Sequence, residues 1–174
     1  MSITVYKTFG KVQGMAETEL DQNIQIRLWE PSLTRIIPPL LGWPYFFRWF
    51  AHFFGIFKNK HYSAVVAYNN NTPISIMVVI PAYSRWRFMS NSDVHFTSLV
   101  LHPEYRGAGI AYHVMKFGVE KFSSDTCDIW TIVRDENKPA RKLIAKVGFS
   151  FYSKAIRRKR FGLSSIGEVV LVTK

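Results

Sequence analysis

Apolar positions along the chain follow two periods, and these separate predicted strands from predicted helices. Ile3, Val5 and Tyr6 alternate with polar neighbours, which indicates a short strand over residues 2–9. Residues 110–122 instead repeat their apolar positions every three to four residues, as an amphipathic helix does. The same period predicts a second helix, and runs rich in β-branched and aromatic residues predict further strands. That helix covers about 138–147, and the strands cover 61–68, 74–80, 94–101, 128–133, 150–160 and 168–172.

Two stretches before residue 61 are less regular. Residues 11–35 mix apolar and polar positions and are expected to form a helix and a loop. Residues 43–57 are dominated by aromatic side chains, but Pro44, Arg48 and His52 interrupt them, whereas a membrane span needs about 20 apolar residues. We therefore expect no transmembrane helix there. The favoured interpretation is a helix packed between sheet and solvent; a lid over the substrate and a helix lying on a membrane surface are the alternatives.

The composition limits the class of protein. With 174 residues, of which 48% are hydrophobic and 20% charged, the chain is expected to fold as one domain over residues 1–174. The lone cysteine, Cys127, and a start without the features of a signal peptide favour a cytoplasmic protein. We expect a monomer or a homodimer. A net charge of +11, spread over both halves of the chain, favours polyanionic partners: coenzyme A, nucleotide sugars, nucleic acid or anionic lipid.

A glycine-bearing segment joins the predicted strand 94–101 to the helix that begins near residue 110. Its sequence is Arg106-Gly107-Ala108-Gly109-Ile110-Ala111. Free backbone N–H groups and the positive end of the helix dipole make such a junction an anion site, and glycines let an anion approach the backbone closely. Farther along, Asn137 is placed to cap the start of the second helix and Gly148 to end it.

These two segments together resemble the GNAT superfamily of N-acyltransferases. Arg106, Gly109 and Ala111 fill the fixed places of the family's acetyl-CoA motif, and Asn137 with Gly148-Phe149 matches a second motif at the customary separation. The resemblance covers about residues 61–160. It implies an α/β fold, a twisted mixed sheet of about six or seven strands flanked by helices, whose central strands splay apart. It also implies an enzyme, a transferase that moves an acetyl group from acetyl-CoA to an amine.

The resemblance further implies how acetyl-CoA, the expected co-substrate, is held. Its pantetheine arm would lie between the splayed strands and bond to the backbone of the first, while amides of the glycine segment would hold the pyrophosphate. No metal is expected, because the five histidines match no familiar ligand pattern. The implied cofactor-binding residues are Leu99, Val100, Leu101, Arg106, Gly107, Ala108, Gly109, Ile110, Ala111, Asn137 and Arg141.

The family resemblance implies direct attack of a neutral amine on the thioester, with a backbone N–H near Val100 polarising the carbonyl. A base must take the amine proton. Where the family often has a glutamate, two or four residues before the end of the strand, this chain has Thr97 and His95. His95 is the candidate base because the ordinary histidine pKa of about 6.5 suits proton transfer near neutrality. A histidine merely packed on the strand is the alternative, and Asp93 is a second candidate.

An acid should protonate the departing thiolate, and here the chain departs from the family pattern. The usual tyrosine, four residues before the glycine of Gly-Phe, is replaced by Ile144. Tyr152 is the candidate acid in its place, with Tyr112 or a water molecule as alternatives. A non-catalytic member that only binds acetyl-CoA also fits this departure.

The acceptor is expected to contact the aromatic stretch 43–57 and the loop 83–92. Aromatic side chains there could stack on a sugar or base, and the arginines, including Arg48 and Arg87, could pair with phosphates. A small primary amine, either a phosphorylated or a nucleotide-linked amino sugar, is the leading hypothesis. One alternative is a longer acyl donor. Another is an acceptor amine on RNA or protein, which would bind to the basic cluster Arg157–Arg160. The candidate substrate-binding residues are Trp43, Trp49, Arg85 and Trp86.

Overall fold

The computed structural model describes residues 2–8, 20–83, 86–160 and 163–172. Of residues 2, 157–160 and 163–168 it describes only the backbone. Eight strands and three helices are present in these ranges. The strands are β1 (Ser2–Lys7), β2 (Ile24–Trp29), β3 (Ser63–Asn69), β4 (Thr72–Pro81), β5 (Val94–Leu101), β6 (Ile129–Arg134), β7 (Ser150–Arg160) and β8 (Leu163–Val172). The helices are α1 (Phe46–Phe53), α2 (Ile110–Phe122) and α3 (Lys138–Lys146), and short 3₁₀ turns cover Trp43–Tyr45 and Pro103–Tyr105.

All eight strands form one open mixed sheet, in the order β2-β3-β4-β5-β6-β1-β7-β8. Only β5 and β6 pair in parallel, and α2 makes the crossover between them. The α/β fold expected from the sequence is therefore confirmed. The sheet has one strand more than expected, because Ile24–Trp29 alternates apolar and polar residues and pairs with β3, where a helix and a loop were expected.

The two faces of the sheet are covered differently. Helices α2 and α3 pack on one face, called here the helix face, whose core includes Met77 and Phe96. Gly118 lets α2 approach this face closely: a Cβ on it would lie 2.6 Å from Cε of Met77. The opposite face, called here the α1 face, carries Tyr62, Trp86 and other aromatic side chains, and Tyr45 packs against them.

Strands β5 and β6 run together for only three residue pairs. Val94, His95 and Phe96 face Ile129, Trp130 and Thr131, and beyond Phe96 no further pairs form. At this point the register between β4 and β5 shifts, and Ser98 takes a φ of 53° in the left-handed region. Such a bulge bends its strand and increases the local twist. The central strands therefore splay apart, as the family resemblance implied.

Helix α1 exposes aromatic side chains and buries nitrogen atoms of polar ones, whereas an ordinary surface helix does the reverse. Five aromatic residues in or beside α1 are exposed: Trp43, Phe47, Phe50, Phe53 and Phe54, with exposed fractions of 67%, 70%, 40%, 43% and 66%. The polar side chains of Arg48 and His52 point to the sheet side instead, since each has a buried nitrogen. The helix expected between sheet and solvent is thus present, with its apolar side outward. None of the described helices is long and apolar enough to cross a membrane.

Candidate functional site

A cleft of about 370 Å³ opens where β5 and β6 part. One wall is the bulged end of β5, the other is the end of β6, and α3 closes the side. Both apolar side chains and hydroxyls line it, so it suits an extended ligand with amide and methylene groups. The lining residues are Met77, Phe96, Thr97, Ser98, Leu99, Met115, Thr131, Ile132, Val133, Arg134, Asn137, Ala140, Leu143 and Ile144.

The glycine segment lies between β5 and α2 and has the backbone that an anion site requires. Gly107 and Gly109 have φ values of 88° and 75°, which glycine adopts without strain. Gly109 is the N-cap of α2, and its carbonyl accepts from the N–H groups of Tyr112 and His113. The earlier N–H groups of the first turn have no partner within the helix, and that turn carries no acidic side chain.

Two predicted cofactor residues lie on α3, where the structure gives each of them a contact within the protein. Asn137 lines the cleft and caps the helix, since its Oδ1 accepts from the N–H of Ala140 at 3.1 Å. That bond uses only the side-chain oxygen, so the amide NH₂ group is left to donate to a ligand. Arg141 donates from Nε to the hydroxyl of Tyr6 at 3.0 Å and from Nη1 to the carbonyl of Asp135 at 3.5 Å, so part of its guanidinium is already engaged.

Comparison with protein-family models decides what this arrangement is. The model of the acetyltransferase (GNAT) family matches residues 15–149, which is most of the chain. The chain belongs to the GNAT family. A search of curated proteins found no match.

Solved structures of GNAT proteins share the fold. A GCN5-related N-acetyltransferase from Sphaerobacter thermophilus matches with a TM-score of 0.55 and 15% identity, over 88% of this chain and 49% of that one. A GNAT-family acetyltransferase from Colwellia psychrerythraea matches with a TM-score of 0.55 and 14% identity, over 86% and 52%. This GNAT chain therefore spans about half the length of these relatives.

The candidate base and acid of this GNAT chain lie on the α1 face. His95 is buried, and its ring centre lies 4.3 Å from that of Trp86. Tyr152 is 42% exposed, and its ring meets Trp130 edge-on at 4.8 Å. Trp130 is also the partner of His95 across β5 and β6, so the structure brings His95 and Tyr152 to the same region. Neither is among the described residues that line the cleft, whereas Ile144 is.

The three predicted substrate residues that the structure describes, Trp43, Trp49 and Trp86, differ in their surroundings. Trp43 is exposed on the outer side of the α1 segment, while Trp86 is buried beside His95. Trp49 is half-buried and donates from Nε1 to the carbonyl of Ser32 at 2.9 Å. Arg85 and the side chains of the cluster 157–160 lie outside the described residues.

Tyr45 and Ser98 form a contact that sequence reasoning missed. The hydroxyl of Tyr45 donates to Oγ of Ser98 at 2.6 Å, which ties the segment before α1 to the bulge at the mouth of the cleft. Tyr45 was considered only as a stacking surface. The bulge itself has no signal in the sequence, because it arises from the register that β5 adopts against β4.

Asp93, the second candidate base, accepts hydrogen bonds that connect two neighbouring strands. Its carboxylate is buried and accepts from the backbone N–H of Ser90 and Asp128 and from the indole N–H of Trp130, at 2.8, 3.1 and 2.8 Å. These bonds join the start of β5 to the start of β6. They hold together the closed end of the pair of strands that opens at the cleft.

Cys127 is expected to react slowly with alkylating reagents. Burial, followed by the charges of Asp93 and Asp128, raises the pKa of its thiol from 9.0 to about 11. The reactive thiolate fraction near pH 8 should therefore be about a hundredfold lower in the folded protein than in the unfolded chain. Iodoacetamide labelling followed by mass spectrometry, with and without urea, measures the ratio. Equal rates at pH 8 would contradict this, and the folded rate should rise as the pH approaches 11.

Proposed function

We propose that this chain transfers an acetyl group from acetyl-CoA to a primary amine. The observation that supports this most directly is the cleft between β5 and β6, adjoining a glycine segment at the start of α2. A thioester lying in the cleft would present its carbonyl at the bulge around Ser98 and its pyrophosphate to the amides of residues 106–111. Attack by the neutral amine forms the C–N bond and breaks the C–S bond; the amine loses a proton and the thiolate gains one.

The backbone of β5 is the element that we expect to orient the thioester. Beyond Phe96 the side of β5 that faces β6 has no ladder partner, so the peptide groups of Leu99, Val100 and Leu101 can bond to the pantetheine arm there. An N–H near Val100 would then polarise the thioester carbonyl, since a fixed donor stabilises the oxyanion that develops on attack. Asn137 and Arg141 would contact the arm and the phosphates from α3.

His95 and Tyr152 remain the proposed base and acid. Both lie on the α1 face, close to Trp130. An acceptor would approach the bulge from this face. Neither lines the cleft, so we propose that protons reach them through water or through the acceptor itself. Ile144, which does line the cleft, can take no part in proton transfer.

The acceptor is proposed to be a small primary amine, and the phosphorylated or nucleotide-linked amino sugar suggested by the sequence is one member of that class. The stretch between Glu30 and Asp93 supports an anionic acceptor, because it contains no aspartate or glutamate but carries arginines and lysines, among them Arg48 and Lys60. A cytoplasmic location, and a monomer or homodimer, complete the proposal.

A thiol-release assay with acetyl-CoA and a panel of amines, peptides and amino sugars tests the proposal. We expect turnover with small amines, and we expect His95→Ala to lower kcat/KM about a hundredfold at neutral pH, as loss of a general base does. His61→Ala is the matched control, since His61 is exposed just before β3 and does not line the cleft. Full activity of His95→Ala across pH 6 to 9 would remove His95 from the mechanism.

The same assay separates the proposal from its alternatives. A preference for long acyl thioesters would indicate a different donor. Retained RNA and a steep loss of binding with salt would indicate an acceptor on nucleic acid. Tight binding of acetyl-CoA, with no thiol release for any amine, would contradict catalysis and leave a binding module.

A further inference from the structure

Buried polar atoms that lack hydrogen bonds lie on α1 and on the α1 face of the sheet. They are Nη1 of Arg48, Nδ1 of His52 and the hydroxyl of Tyr62, and none of them has a hydrogen-bond partner among the described residues. Tyr62 itself is only 1% exposed. Buried polar groups are almost always hydrogen-bonded, and each exception calls for an explanation. Several exceptions in one place indicate a ligand that the protein alone does not supply.

The three side chains form one cluster, called here the α1 cluster. The rings of His52 and Tyr62 lie 5.9 Å apart, and the charge of Arg48 acts on the Tyr62 hydroxyl. Burial is the larger influence on that hydroxyl and raises its pKa to about 12, so it stays protonated and can donate a hydrogen bond. Burial and then the charge of Lys60 lower the pKa of His52, which is therefore a neutral ring near pH 7.

The positive charge of Arg48 is not balanced within this region. In the described part of the chain no carboxylate forms an ion pair with it, and the sequence from 31 to 92 contains no acidic residue. The ring of Tyr45 lies 4.5 Å from Cζ of Arg48 and stabilises the cation only in part. A half-buried guanidinium with an unused N–H, beside a hydroxyl donor, is the complement of an oxyanion.

The α1 cluster is connected to the cleft by one side chain. The hydroxyl of Tyr45 donates a hydrogen bond to Ser98 at the bulge, and the ring of Tyr45 contacts the guanidinium of Arg48. An acceptor amine that reaches the thioester at the bulge would therefore place a group several bonds away beside Arg48. Lys60 adds a second positive charge near His52.

We propose that the α1 cluster binds the carboxylate of the acceptor, and that the acceptor is a primary amine bearing a carboxylate several bonds from its nitrogen. This rests on the proposed acetyl transfer and names its substrate class. A carboxylate is favoured over a phosphate because one fixed guanidinium balances one negative charge, and its planar fork matches two carboxylate oxygens. A phosphate monoester would bring close to two negative charges to a site in which Arg48 is half-buried and Lys60 is exposed to solvent.

The test is a series of straight-chain ω-amino carboxylates of increasing length. Each is compared in the thiol-release assay with the n-alkylamine and the ω-aminoalkyl phosphate of the same length. We expect one length of carboxylate to exceed its alkylamine about a hundredfold in kcat/KM. Arg48→Met should abolish this preference by raising KM for the carboxylate, so that the carboxylate and the alkylamine of that length react with similar kcat/KM.

Thermal unfolding of the ligand-free variants separates a binding role from a structural one. Removing a buried hydroxyl that has no partner should leave the Tm of Tyr62→Phe unchanged or raise it, while KM for the carboxylate rises. Tyr6→Phe is the matched control, because the Tyr6 hydroxyl is bonded to Nε of Arg141, and its loss should lower Tm. A Tm for Tyr62→Phe as low as that of Tyr6→Phe would overturn the inference, because the hydroxyl would then be structural.

A bare alkanoate separates failure of this inference from failure of the proposed acetyl transfer. Suppose that no amine is turned over, and that the alkanoate raises the Tm of the wild-type protein but not that of Arg48→Met. This result would support the anion site and contradict the proposed acetyl transfer. If alkylamines and amino carboxylates react equally well with the wild-type protein and with Arg48→Met, the result would support acetyl transfer and contradict the anion site. A preference for the phosphate series that depends on Arg48 would overturn the assignment to a carboxylate.

Discussion

Gly107→Val is expected to raise the Kd for coenzyme A about a hundredfold. The φ of 88° at residue 107 lies in a region that a β-branched side chain resists, so the backbone of the segment must move. Losing two hydrogen bonds from backbone N–H groups to a charged pyrophosphate corresponds to about 3 kcal/mol, which is a factor of about a hundred. Isothermal titration of coenzyme A into the variant and the wild-type protein measures this.

Gly55→Val is the matched control for that substitution. Gly55 has a φ of 66°, and a Cβ at either glycine would meet no atom within 4 Å, so both variants carry backbone strain without a steric clash. Gly55 follows α1 and lies outside the proposed cofactor segment. Its variant should lose stability and keep its affinity for coenzyme A. Equal Kd values for Gly107→Val and the wild-type protein would mean that the segment does not hold the pyrophosphate.

Asp93→Ala is expected to lower the free energy of unfolding by about 4 kcal/mol. The variant leaves three donors without their acceptor: the buried indole N–H of Trp130 and the part-buried backbone N–H groups of Ser90 and Asp128. Because these bonds join the starts of β5 and β6, the loss falls on the pair of strands that frames the cleft. Urea unfolding followed by tryptophan fluorescence measures the free energy of unfolding of both proteins.

Asp125→Ala is the comparison for that prediction. Asp125 is exposed in the turn before β6, and its loss should change stability by no more than about 0.5 kcal/mol. An Asp93→Ala protein as stable as Asp125→Ala would show that the buried carboxylate does not hold the strands together. Acetyl-transfer activity should fall with the folded fraction in Asp93→Ala, since Asp93 makes no contact with the cleft.

The parts of the fold that the sequence predicted are those set by local periodicity and by glycine and asparagine chemistry. The helical period of residues 110–122 gave α2, and Asn137 and Gly148 marked the two ends of α3 as observed. Strand β2 was missed, because the mixture of apolar and polar positions over residues 11–35 was interpreted as a helix and a loop. Its pairing depends on β3, which lies about 40 residues farther along the chain.

The geometry around the candidate site was less predictable, because it depends on register and on which side of an element faces the sheet. Ser98 looks like any strand residue, and only the pairing of β5 with β4 makes it a bulge. The aromatic residues of α1 do not reveal which side of the helix faces the sheet, because nitrogen atoms of Arg48 and His52 are buried while Phe47 is exposed, against the ordinary rule. Asp93 could be recognised as a strand-joining acceptor only once Trp130 was placed beside it.

The outward aromatic side of α1 also determines how the protein behaves at high concentration. Trp43, Phe47 and Phe54 are exposed to solvent and can associate between molecules. Electrostatic repulsion between molecules that each carry a net charge of +11 is the main force that opposes this association. Colloidal stability should therefore decline as the pH is raised towards the isoelectric point of about 9.9, and as added salt screens the charge. Low ionic strength and a pH near neutrality are the conditions under which purified material should remain dispersed.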